Sequence, residues 1–82
     1  MRFLVVHAHP LRESFNRALF ELTCETLAAR GHAVEGLDLY GEGFEPVLDA
    51  AGRRHYHDHG ANARPVAGEL ARLARCNGLI FV

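Results

Sequence analysis

The chain has 82 residues, 49% of them hydrophobic and 23% charged, with a formal net charge of −1. That length allows one small domain over residues 1–82. The near-neutral balance, without blocks of like charge, argues against a nucleic-acid partner or a polybasic membrane patch. No apolar run approaches the roughly 20 residues that membrane insertion requires.

Arg2 is followed by only a few apolar residues, which is not a signal peptide. Cys24 and Cys76 lie far apart and form no C-x-x-C pair. A reduced, cytoplasmic setting is therefore expected, with both cysteines as small buried apolar residues.

"RFLVV" (2–6) is a short continuous apolar run, as expected of a strand covered on both faces in a parallel sheet. Pro10 helps to end it, having no N–H for a ladder. From Ser14 the period becomes helical: Phe15, Leu19, Leu22, Thr26 and Ala29 recur on one side, with Ala18 beside them and Arg17, Glu21 and Glu25 opposite. Ser14 is the expected N-cap and Gly31 the expected left-handed residue beyond the C-terminus.

"HAVEGLDLY" (32–40) predicts a second strand, and its Glu35, Gly36 and Asp38 suit a sheet edge. A polar, irregular stretch follows. Phe44, Val47 and Leu48 are its expected anchors, and a short helical turn is expected from Asp49 to about Tyr56. A further helix is predicted from about Pro65 to Arg75, with Val66, Leu70 and Leu73 as its stripe. "GLIFV" (78–82) is the third strand. Strands alternating with helices predict an α/β fold, a parallel sheet with right-handed crossovers.

The final strand is apolar throughout, and such a strand needs neighbours and cover on both faces. The expectation is that these residues are the N-terminal part of a longer domain. The rival reading is an oligomer that completes the sheet in trans.

The loop "HAHPLRESFN" (7–16) lies between the first strand and the first helix, where doubly wound sheets bind ligands. The first glycine of the chain is Gly31, so neither G-x-G-x-x-G nor a Walker P-loop is present. The G-x-G in "GEGFEP" follows the second strand and reads as loop chemistry. A helix N-terminus nevertheless favours an anion through its unpaired N–H groups and its dipole. Ser14 and Asn16 add side-chain donors, and His9 can donate from one ring nitrogen. Arg12 adds charge only if it turns inward, and His7 is expected to pack at the strand end. Together these residues suggest a phosphate cradle built without glycines.

"HAHPLRESFNRAL" resembles the opening motif of the flavodoxin-like NAD(P)H:quinone oxidoreductases, in which His-Pro precedes Ser-Phe-Asn and Ala-Leu. "DLYGEGFEPVL" (38–48) is similar to that family's D-L-Y-x-x-x-F-x-P segment, and "RRHYHD", the later Asn and Pro-Val, and "GLIFV" follow its order of elements. The resemblance covers essentially the whole chain. It implies a flavodoxin-like doubly wound parallel sheet, here incomplete. It also implies a cytoplasmic homodimeric flavoprotein in which two electrons pass from NAD(P)H through FAD or FMN to a quinone. His9, Ser14, Phe15 and Asn16 are carried over as flavin-binding residues, and Ala18 as a backbone contact on the first helical turn. The family's aromatic, proline-containing loop for the isoalloxazine ring has no counterpart in these residues. No catalytic residue is therefore assigned, and residues 1–82 alone are expected to be inactive.

Two other functions compete. One is a flavin-binding ancillary subunit of a glutathione-gated potassium efflux system, acting through a membrane transporter. The other is a small electron-carrying flavodoxin, against which the Ser-Phe-Asn motif speaks. "HYHDH" places His55, His57 and His59 at alternate positions, which would share one face only on a strand. Nothing nearby reads as a strand, so a solvated loop is expected and no metal site is assigned.

Overall fold

The computed structural model describes residues 1–82. Three strands form one parallel sheet: β1 (Arg2–His7), β2 (Ala33–Asp38) and β3 (Gly78–Phe81), in the order β2-β1-β3. β2 lies at an edge, as its polar content predicts. In the register, Val5 stands between Gly36 and Ile80, and Val6 between Leu37 and Phe81. Leu4, Val5 and His7 of the central strand are almost wholly buried.

Helix α1 (Phe15–Ala29) crosses one face of the sheet. Ser14 is its N-cap, and Gly31 follows at φ 85°, the left-handed region that glycine enters without a Cβ clash. The buried face of α1 differs from the expected one. Phe20 is buried, with Asn16, Cys24 and Leu27 half-buried at spacings of three and four residues. The predicted stripe of Phe15, Leu19, Leu22, Thr26 and Ala29 faces outward. The reason lies in β2: a Cβ on Gly36 would sit 2.8 Å from Cζ of Phe20, so the missing side chain is what admits the ring. Arg17, on the expected polar side, reaches Asp38 at the end of β2 with Nη1 to Oδ2 at 2.7 Å.

The chain after β2 turns sharply. The Gly41 N–H donates to Asp38 Oδ1, and Phe44 returns to donate its N–H to the Leu39 carbonyl. Phe44 anchors the segment, whereas Val47 and Leu48 are exposed rather than docked. The expected helical turn is α2 (Ala50–Arg54), capped by Asp49. An unforeseen short helix, α3 (His59–Ala63), starts at Asp58, whose carboxylate accepts from the N–H groups of Gly60 and Ala61. His55 therefore ends one helix while His59 opens another, and no three potential ligands converge on a metal position.

The last predicted helix is a 3₁₀ turn (Arg64–Val66) leading into α4 (Ala67–Arg75). Of its expected stripe Val66 is half-buried, while Leu70 and Leu73 stay 44% and 46% exposed. Ion pairs fasten α4 instead. Arg75 binds Glu35 of β2 with both Nε and Nη2, and Arg72 pairs with Glu42. Both cysteines are half-buried and free, less covered than expected, since each sits at the margin of the thin core. Partial burial nevertheless raises the Cys24 thiol above its ordinary pKa.

Candidate functional site

The loop from Ala8 to Ser14 leaves the carboxyl end of the central strand and delivers the chain to the start of α1. Its shape is held by two local hydrogen bonds. The Leu11 N–H donates to His9 Nδ1 at 3.0 Å. The Ser14 N–H donates to the Leu11 carbonyl at 3.4 Å.

The first contact fixes the chemistry of His9. A backbone N–H can only donate, so Nδ1 accepts and the neutral ring carries its proton on Nε2. The half-buried imidazole thus keeps one N–H free for a ligand. Ser14 is arranged similarly. Its Oγ accepts from the Arg17 N–H at 3.0 Å, which leaves the hydroxyl hydrogen available.

The backbone adds further donors. The N–H groups of Arg12, Glu13, Phe15 and Asn16 have no acceptor in the chain. They lie where the α1 dipole is positive. A phosphate fits this donor set, because it needs several N–H or O–H groups and offers none.

The remaining sequence-derived residues have distinct positions. Phe15 is 79% exposed on the first turn, a flat apolar surface beside the donors. Ala18 is exposed too, but its N–H is taken by the Ser14 carbonyl, so it offers its methyl group rather than a donor. Asn16 turns beneath the loop, and its Nδ2 lies 3.3 Å from both His7 Nδ1 and the Val82 carbonyl. Arg12 is exposed.

Beneath the loop lies a polar layer less legible in the sequence. His7 is 1% exposed, with its ring stacked on Phe20 at 4.8 Å between centroids. The Arg17 guanidinium lies 5.2 Å from the centre of the Phe20 ring and also pairs with Asp38. The Asp38 carboxyl is held below its ordinary pKa, first by the Gly41 N–H and then by Arg17. Arg17 read as a solvated helix residue because its partner is 21 positions away.

Comparison with known proteins agrees with this architecture. A family model described as flavodoxin-like fold (Flavodoxin_2) matches residues 1–82. The structure is similar to the NAD(P)H:quinone oxidoreductase from Methanothermobacter marburgensis, with a TM-score of 0.80 and 30% sequence identity. That similarity covers 100% of this chain and 43% of the other, so the chain spans less than half of that enzyme's length. No curated protein sequence matches. With three parallel strands in the order β2-β1-β3 and a donor-lined loop after the central one, the chain belongs to the family of the flavodoxin-like fold.

Proposed function

We propose that the chain supplies the flavin phosphate-binding half of a flavin-dependent NAD(P)H:quinone oxidoreductase. The observation that carries this reading is the donor-rich loop after β1, with His9 held in the tautomer that leaves Nε2–H free. The similarity to an NAD(P)H:quinone oxidoreductase at 30% identity supports the substrate class.

His9, Ser14 and the N–H groups of Phe15 and Asn16 would hold the phosphate of FAD or FMN, and the exposed Phe15 ring would cover its neighbouring apolar part. A bound flavin supplies two-electron chemistry between a nicotinamide and a quinone. The residues of this chain bind and orient; none of them is assigned a proton transfer. A cytoplasmic homodimer is part of the proposal; the exposed Phe15, Leu19 and Leu22 on α1 offer an apolar surface for the dimer contact.

NAD(P)H oxidation by the whole protein, reconstituted with FAD or FMN and given a quinone, tests the activity. Quinone-dependent turnover is expected, and its absence with flavin bound would point instead to the ancillary potassium-efflux role. Residues 1–82 alone are expected to show no turnover, in keeping with their 43% share of the similar enzyme. Turnover by these residues alone overturns the half-site reading.

A further inference from the structure

His7 is the one buried polar residue, and the flavin reading gives it no role. It ends β1 directly beneath the loop. Its Nδ1 lies 3.3 Å from Asn16 Nδ2, and that same nitrogen lies 3.3 Å from the Val82 carbonyl. A carbonyl only accepts, so the contact with Val82 fixes which end of the Asn16 amide is the NH2 group. The second hydrogen of that group then points at His7. Nδ1 must accept it, which places the ring proton on Nε2.

One side chain therefore ties three elements together: the end of β1, the first turn of α1 and the end of β3. The Phe20 ring stacks on the imidazole at an interplanar angle of 20° and covers one face of the buried His7. Gly36 is what lets Phe20 reach that place.

We infer that His7 is a positioning residue: its Nδ1 orients Asn16, and through Asn16 sets the first turn of α1 whose free N–H groups receive the phosphate. This rests on the proposed flavin reading, since the phosphate is the group being positioned. The sequence offers little hint of the role, because an apolar strand end followed by a histidine equally describes simple packing.

The test is a titration of FMN and of riboflavin into the full chain, read as the ratio of their affinities. The two ligands differ only in the phosphate. His7→Asn puts an acceptor oxygen near the Nδ1 position, and His7→Gln puts one near Nε2. His7→Leu removes both. The wild type and His7→Asn are expected to share one FMN preference. In His7→Gln and His7→Leu that preference falls about tenfold, the equivalent of one hydrogen bond, while riboflavin affinity holds.

Equal ratios in all four proteins, or an equal fall in the Asn and Gln variants, overturn the inference. A wild type that binds flavin without preferring FMN overturns the phosphate reading itself and the inference with it. If His7→Leu does not fold, the Asn and Gln variants, matched in polarity and checked by thermal melting, decide alone.

Discussion

Ser14 does two jobs with one hydroxyl. Its oxygen accepts from the Arg17 N–H and starts α1, and its hydrogen remains free for the loop. The two roles separate by substitution. Ser14→Ala loses the cap, and about 1 kcal/mol of stability with it, read as a lower melting temperature. Ser14→Asp keeps a capping oxygen and suits the helix dipole, but brings a negative charge to the anion cradle. Thermal melting is expected to place the Asp variant near the wild type, while FMN titration shows both variants weakened. An Asp variant that binds FMN as tightly as the wild type would remove Ser14 from the phosphate site. Also at the residue scale, Glu35 is held down to about 2 from 4.5, first by hydrogen bonds from Arg75 and then by Arg2. Asp38 is likewise held below 3.8 by Gly41 and Arg17. A carboxyl with a depressed folded pKa contributes stability that is present above its unfolded value and lost as pH falls through the folded one. Melting temperature is therefore expected to fall as pH drops from about 4.5 towards 2, and to fall less steeply in Glu35→Gln. An identical pH profile in that variant would show that the Arg75–Glu35 pair contributes nothing.

Helix α1 carries two apolar stripes, and periodicity alone could not choose between them. Phe15, Leu19 and Leu22 make the longer apolar pattern, yet Phe20, with half-buried Cys24 and Leu27, packs on the sheet. The choice is made across space, by the gap at Gly36 and the Asp38 partner for Arg17. Gly36→Ala would push a methyl group against Phe20 and disturb its stacking on His7. The expected cost is about 1–3 kcal/mol by overpacking, read as a lower melting temperature, and an unchanged melt would mean that Phe20 moves freely. The contrast with α4 is instructive. Its leucines suggested apolar docking, but Arg72 and Arg75 hold it to Glu42 and Glu35. Long-range ion pairs leave no periodic signal, so sequence reading found this helix and missed its fastening. The cap at Ser14 was more legible, a short polar residue before a helical run, whereas Asp49 was expected inside its turn and proves to cap it. Asp58 gave the same signal and was hidden by the histidines around it.

As a whole molecule, the chain has a small core beneath an open sheet. The chain order of the three strands with α1 and α4, the parallel sheet and the edge position of β2 followed from alternating apolar runs and helical stretches, whereas α3 did not. Which faces are covered did not, because cover depends on residues distant in sequence. Phe81 is 74% exposed on β3, whose outer edge is unpaired, while Leu19 and Leu22 line the outside of α1. Uncovered apolar surface beside a free strand edge promotes association. Residues 1–82 are expected to elute at an apparent mass that rises with concentration, and Phe81→Lys to reduce the rise. A concentration-independent monomer would contradict that expectation. Whether the loop after β1 holds a flavin phosphate is decided most directly by fluorescence titration of FMN with the full chain and its His9→Ala variant. The expected result is saturable quenching by the wild type, weakened about tenfold in the variant through loss of the Nε2–H donor. No quenching by the wild type, or equal quenching by both proteins, would contradict it.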